Sequence, residues 1–258
     1  MAGVMVDSSK GGRFCSFEDV VAVPIPEPTR SYQPVANGDL IRTVRNTIVG
    51  EFDCDPDSLE LTLGLSQKDQ QMFGCFVVPA ISNQRFMSQL MYCFRNSYNY
   101  TLSIALAGGA QCWGCDNGQM SGEVVQMRKH TANVYQDLQE ICTKVVTQGA
   151  GVFNLAMEHA TILKETEVED DLAHAMIGIA RGRQVIRSQQ AEVIYREWDT
   201  PSFEGHSGND AWSLYNCFTQ GAKHGPAGKA ITRHRKVQKF FEARFPSLQE
   251  ANEEAALV

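Results

Sequence analysis

The chain of 258 residues is 43% hydrophobic and 21% charged, which is typical of a globular protein with one large core or two small ones. No stretch approaches the roughly 18 apolar residues of a membrane-spanning helix. The N-terminal segment MAGVMVDSSKGGRF also lacks the apolar core of a secretory signal. We therefore expect a cytoplasmic protein that makes no contact with a membrane and keeps its eight cysteines reduced.

The net charge of −7 is unevenly distributed along the chain. Residues 223–244 carry seven Lys or Arg side chains against one Glu, whereas residues 158–171 carry six acidic side chains against one Lys. Such an asymmetry predicts a basic face on an otherwise acidic body.

In chain order, residues 1–35 are predicted to form an irregular arm, because VPIPEPTRSYQP has four prolines in twelve residues. Residues 36–130 follow as an α+β sheet region. It begins with the helix GDLIRTVRNTIVGEF, whose apolar side chains form one stripe and whose N-cap is Asn37. The segment TLSIALA fits either a strand or a turn of helix. The predicted strands are SLELTLGL, MFGCFVVPA, SQLMYCF, AQCWGC and GEVVQMR, with SQKDQQ as the first turn.

Residues 131–245 are predicted to be helical and to pack on this sheet. TANVYQDLQEICTKVV has a clear apolar stripe, with Thr131 as its N-cap. Residues 246–258 are expected to be an acidic, flexible tail. The fold is therefore α+β in a single domain, with an N-terminal helix, an antiparallel sheet of about five strands and a mainly helical C-terminal half. The other predicted helices lie near 152–164, 168–180, 183–196, 209–221 and, as a basic helix, 229–245.

The segment QCWGCDNGQMSG contains two competing signals, a Cys-x-x-Cys pair at Cys112 and Cys115 and the dipeptide Asn117-Gly118. A redox pair needs a helix start behind its first thiolate, and a zinc site needs about four ligands. The sequence that follows the pair is typical of a turn. Because Asn and Gly both tolerate positive φ, the segment favours a β-hairpin over a metal or redox site.

No catalytic motif is present. The sequence lacks the phosphate-binding pattern Gly-x-x-x-x-Gly-Lys-Ser/Thr, the metalloprotease pattern His-Glu-x-x-His and the nucleophile pattern Gly-x-Ser-x-Gly. The six histidines show no spacing typical of metal ligands. We therefore expect no catalytic residue, no cofactor and no metal, and an enzymatic hypothesis rests on the cysteine pair alone.

The basic helix ITRHRKVQKFFEARF and the segment RNSYNY are the candidates for nucleic-acid contacts. A helix that packs by its apolar side presents its basic side to phosphates, although a solvated terminal helix has the same pattern. The Arg and Tyr side chains of RNSYNY suit phosphate binding and base stacking. The predicted nucleic-acid-binding residues are Arg95, Tyr98, Lys229, Arg233, Arg235, Lys236 and Lys239.

Four segments resemble, in this order, the phage- and plasmid-encoded proteins grouped as domain-of-unknown-function family 932. They are SYQPVANGDLIRTV, RNSYNYTLSIALAGGAQCWGCDNGQMSGE, VVQMRKHTANV and NDAWSLYNCFTQGAKH, and the resemblance extends from Ser31 to Phe245. The chain departs from the family pattern at Asn99 and Tyr100, where members often have Asp-Gly, and at the inserted Asp116. The matching motif residues are Ser31, Tyr32, Pro34, Asn96, Ser97, Cys115, Asn117, Gly118, His130, Thr131, Trp212 and Asn216.

The resemblance implies an accessory protein of a phage or another mobile element that acts in a bacterial host cell. No biochemical activity defines the family. The order of helix, antiparallel strands and helix is also similar to the core of phage single-strand annealing proteins. We therefore expect a non-enzymatic homo-oligomer that binds single-stranded DNA in recombination or replication. The alternative is an interaction protein that inhibits a host defence system or a host enzyme, and both functions fit the sequence.

Overall fold

An antiparallel sheet occupies the first half of the computed structural model, which describes residues 12–112, 118–119, 125–225 and 229–255. Strands β1 to β5 follow each other in sequence order across the sheet. The far edge of β5 pairs with β6 at Ala110 and Gln111 and with β7 at 104–107. The strands are β1 (Arg13–Cys15), β2 (Glu60–Ser66), β3 (Gln71–Asn83), β4 (Ser88–Ser97), β5 (Ile104–Cys112), β6 (Gly118–Gln119) and β7 (Val125–Arg128).

Most of the described helices follow the sheet in sequence, which confirms the α+β fold with a mainly helical C-terminal half. The last four residues of TLSIALA, 104–107, belong to strand β5, and the predicted turn SQKDQQ joins β2 to β3, with positive φ at Gln67, Lys68 and Asp69. The helices are α1 (Phe17–Val21), α2 (Asn37–Phe52), α3 (Val134–Thr147), α4 (Gly149–Lys164), α5 (Asp170–Gly182), α6 (Ser188–Asp199), α7 (Ala211–Ala222), α8 (Ala230–Glu242) and α9 (Ser247–Ala255).

The two faces of the sheet bury different apolar side chains, because successive residues of a strand point to opposite faces. Phe76 and Tyr92 belong to the main core, which the sheet shares with the helices. Cys75 and Met91 belong to a smaller cluster on the other face, and Ile231 of α8 joins that cluster. The sheet is therefore buried on both faces in this region.

Neither predicted N-cap is observed. Ala36 occupies the N-cap of α2, and Asn37 is the first helical residue, with its side chain buried. Its backbone N–H donates to the hydroxyl of Tyr98 at 2.8 Å, so the tyrosine directly after β4 satisfies the helix start instead. In α3 the N-cap is Asn133, two residues beyond the predicted Thr131.

The described parts of the first and last segments contain more regular structure than predicted. The arm predicted to be irregular contains β1 and the short helix α1, which starts with a capping box between Ser16 and Asp19. The segment predicted to be a flexible tail contains α9, in which Leu248 and Ala251 are buried. These two side chains lie three residues apart and therefore share one face of the helix.

Strand β1 covers only part of the neighbouring strand. Its three residues pair with Leu63, Gly64 and Leu65 of β2. The guanidinium of Arg13 forms an ion pair with Asp69 in the β2–β3 turn, at 3.2 Å. A short, charged strand therefore forms this edge of the sheet.

Candidate nucleic-acid interface

Arg95 and Tyr98 do not belong to an exposed binding surface, so this part of the predicted site is wrong. Arg95 is 8% exposed and Tyr98 is 3% exposed. Arg95 donates through Nε to the carbonyl oxygen of Ser103 at 3.3 Å, and burial lowers the pKa of its guanidinium. The Tyr98 hydroxyl accepts the backbone N–H of Asn37. Neither side chain is available to stack on a base or to hold a phosphate.

Replacing Tyr98 by Phe tests this structural role. We expect Tyr98→Phe to lower the free energy of unfolding by about 1–3 kcal/mol, because the buried N–H of Asn37 loses its acceptor. Tyr100→Phe is the matched control, since Tyr100 is 60% exposed, and it is expected to leave stability unchanged. Urea unfolding of both variants measures the difference. A loss of DNA binding by Tyr98→Phe at unchanged stability would contradict the assignment.

The predicted residues of the basic helix lie on α8 and at its start. Lys229, Lys236 and Lys239 are exposed, whereas Arg233 and Arg235 are half-buried. Arg233, Lys236 and Lys239 are spaced by three residues, so they are neighbours on the helix surface. The opposite side of α8 buries Val237 and Phe241. In α8, apolar side chains are packed inward and Lys236 and Lys239 face solvent, and the binding of nucleic acid by this side stays a prediction.

A second basic segment, which the sequence reasoning missed, lies beside α8. It runs from the end of α5 to the start of α6 and contains Arg181, Arg183 and Arg187, all exposed. The Nζ of Lys236 lies 3.5 Å from the carbonyl oxygen of Gln184. The available signal was the local run RGRQVIR, but no sequence pattern shows that it meets a helix about fifty residues later.

Hydrogen bonds also join the end of α7 to these two segments. The side-chain amide of Gln190 in α6 donates to the carbonyl oxygens of Gly221 and His224, at 3.1 and 3.0 Å. The Nε of Arg233 donates to the carbonyl oxygen of Ala222 at 2.8 Å. Three separate segments thus form one surface. We use the term basic surface for the following side chains: Arg181, Arg183, Arg187, Lys223, Arg233, Lys236 and Lys239.

Three cations of the basic surface have no ion-pair partner among the described residues. Some cations elsewhere do have one, such as Lys164 with Asp210 at 2.7 Å and Arg45 with Asp57 at 3.1 Å. In the part of the chain that the structure describes, no carboxylate lies within 4.0 Å of the cationic groups of Arg181, Arg183 or Lys236. A surface of this kind attracts polyanions.

The motif residues carried by the family resemblance divide into two groups. Asn96, Ser97 and His130 lie near the arm. The amide of Asn96 donates to the carbonyl oxygen of Val35 and to Oδ1 of Asn37, both at 2.8 Å. Trp212 and Asn216 lie in α7 instead. Both are buried; the Trp212 ring stacks on Tyr215, and Asn216 donates to the backbone of its own helix.

The Cys-x-x-Cys segment is only partly visible. Cys115 and Asn117 lie outside the described residues. Gly118 pairs with Gln111 across β5 and β6, so it belongs to a strand and not to the centre of a two-residue turn. The antiparallel pairing itself agrees with a hairpin. Among the residues described, no group of three His, Cys, Asp or Glu side chains is placed to hold a metal ion.

Comparisons with known proteins add no assignment: no protein-family model, no curated protein and no solved structure matches the chain. Within the described ranges, no helix is both long enough and apolar enough to cross a membrane. The exposed charged side chains of this chain are therefore the observation that bears on its function.

Proposed function

We propose that the protein binds single-stranded nucleic acid through the basic surface, as a non-enzymatic accessory protein of a phage or another mobile element. The observation that supports this proposal is the convergence of seven cationic side chains from three segments. Exposed cations such as Arg181, Arg183 and Lys236, which have no carboxylate within 4.0 Å among the described residues, suit phosphates, and binding them releases the counterions of the strand. The mobile-element context is the part of the proposal that the sequence resemblance implies.

Two features favour a single strand over duplex DNA. The molecule is acidic overall, with a net charge of −7, whereas binders of duplex DNA usually have a basic domain. The cationic groups lie on one short helix and at two helix ends, and together they form a local patch. This part of the molecule presents no long helix to a major groove. A flexible strand follows such a local patch more easily than a stiff duplex does.

Fluorescence anisotropy with a labelled oligothymidine tests the proposal. With about five phosphate contacts, the slope of log Kobs against log salt is expected to be about −3.5 for a single strand. Affinity should then fall about 100-fold between 50 and 200 mM salt. No binding at 50 mM salt, or binding that does not depend on salt, would contradict the proposal. In that case, capture of a protein partner after nuclease treatment would support the alternative function, which is inhibition of a host protein.

A further inference from the structure

A cleft lies at the junction of the arm, the β4–β5 turn and the segment after β7. Its volume is about 330 Å³, at the lower end of the range for ligand sites. Backbone hydrogen bonds hold the arm in place there, from Gln33 N–H to the carbonyl oxygen of His130 at 3.0 Å. The cleft brings together three of the motif segments but none of the basic surface. Its lining includes Tyr32, Tyr100, Ser103, Lys129, His130 and Thr131.

Three aromatic rings are in contact in this cleft, with interplanar angles of 58° between Tyr32 and Tyr100 and 38° between Tyr32 and His130. The ring centroids of Tyr32 and Tyr100 are 4.2 Å apart, and those of Tyr32 and His130 are 5.0 Å apart. Tyr32 is fixed at the centre, because its hydroxyl donates to the carbonyl oxygen of Ser97 at 3.1 Å. Tyr100 forms the outer end and is 60% exposed. An exposed ring supported from behind by a buried one offers a platform for another flat ring.

The backbone at Tyr100 is held in an unusual conformation. Its φ is +61°, in the left-handed region that a bulky aromatic residue rarely adopts. Asn99 and Gln71 support this turn: the Thr101 hydroxyl donates to Oδ1 of Asn99 and accepts from Nε2 of Gln71 at 2.7 Å. Such strained positions cluster at ligand sites. A glycine at position 100 would adopt this φ without strain. The tyrosine differs from it by presenting an aromatic ring at the surface of the cleft.

His130 forms the inner end of this group of rings and is 6% exposed. Burial lowers the pKa of its imidazole, and a hydrogen bond with the backbone of Gln33 acts in the opposite direction. Its side chain therefore packs behind Tyr32 and supports the ring that Tyr100 contacts. Lys129, in the same lining, is exposed and carries the positive charge.

We propose that this cleft binds a nucleotide, with its flat base stacked on Tyr100 and its phosphate held by Lys129. A base supplies the ring face that the platform takes, and its phosphate supplies the negative charge that Lys129 attracts. The nucleotide is either a free mononucleotide or the phosphorylated end of a strand, since both present the same base and phosphate. The inference is independent of the basic surface and of the function proposed for it.

Isothermal titration of the full chain with each of the four 5′-mononucleotides tests the inference, with ribose 5-phosphate as the probe that lacks a base. We expect at least one mononucleotide to bind and ribose 5-phosphate to bind at least about fivefold more weakly, which corresponds to the loss of one base–aromatic stack. Oligothymidines with and without a 5′-phosphate distinguish the two sources of the ligand. Competition by the phosphorylated strand alone would assign the site to a strand end.

Variants of the two proposed contacts give a matched test. Tyr100→Gly is expected to weaken nucleotide binding at least about fivefold while unfolding at no lower temperature, because it removes both the ring and the strain. Tyr100→Phe keeps the ring and should bind as the unaltered chain does, as should Tyr135→Ala, which removes a 45% exposed tyrosine outside the cleft. Lys129→Gln should weaken binding of the mononucleotide but not of the nucleoside.

Two results would overturn the inference. One is that no mononucleotide and no phosphorylated strand binds the unaltered chain at the cleft. The other is that Tyr100→Gly binds the mononucleotide with unchanged affinity. A chain altered only on the basic surface, at Arg183, Arg187 and Lys236, should still bind the mononucleotide normally. The experiments therefore distinguish failure of nucleotide binding at the cleft from failure of strand binding at the basic surface.

Discussion

Replacing Arg183, Arg187 and Lys236 together by Ala is expected to weaken the binding of single-stranded DNA about 500-fold at 50 mM salt. Each lost phosphate contact removes about 0.7 from the slope of log Kobs against log salt, so the slope should fall by about 2. The three side chains are exposed and come from two different segments of the basic surface. Their removal should change the free energy of unfolding by less than about 0.5 kcal/mol per site.

The control for this variant removes the same number of charges elsewhere. Lys68→Asn, Lys144→Ala and Arg196→Ala are exposed positions outside the basic surface. Asn is chosen at position 68 because φ is +56° there, a conformation that Asn tolerates. Anisotropy titrations of both triple variants at several salt concentrations give the two slopes. If the control lost as much affinity as the basic-surface variant, binding would depend on net charge and not on this surface.

Gly149→Ala is expected to lower the free energy of unfolding by about 3 kcal/mol. A Cβ at this position would overlap the hydroxyl of Tyr92. That hydroxyl is buried and donates to the carbonyl oxygen of Val146 at 3.0 Å. The added carbon therefore displaces the ring and breaks a buried hydrogen bond at the close approach of α4 to the sheet.

Gly151→Ala, two residues further along the same helix, is the matched control. A Cβ there meets nothing within 4 Å, so the exchange should raise stability by up to about 1 kcal/mol through helix propensity. Thermal unfolding of both variants measures the contrast. The double variant Gly149→Ala with Tyr92→Phe should recover part of the loss, since the overlapping oxygen is gone. Equal stability of the two alanine variants would contradict the packing at Tyr92.

Periodic patterns predicted the elements that bury one apolar stripe. The helical spacing in α2 and α3 and the alternation in β2 identified these segments, because burial of a single face imposes the period. The same reasoning failed for α9. Its apolar side chains are few, and its acidic composition resembles that of a solvated tail. The helix packs on the rest of the fold by burying the side chains of Leu248 and Ala251.

The candidate site was predictable only in part, because its assembly depends on contacts between distant segments. RNSYNY contains exposed-looking polar residues, yet Tyr98 and Asn96 are buried by the arm about sixty residues earlier. The basic face of α8 was visible as a local charge pattern. Its union with Arg181, Arg183 and Arg187 was not, because the contact between Lys236 and Gln184 spans 52 positions. Only tertiary structure shows which local charges share a surface.

Strand β1 also determines how this molecule behaves among copies of itself. Without it, β2 would present a free row of backbone donors and acceptors beside Leu63 and Leu65, and such an edge recruits strands from other chains. With three paired residues, the first of them an Arg held by Asp69, β1 is too short and too charged to extend the sheet further. At this edge the arm thus protects the molecule against aggregation.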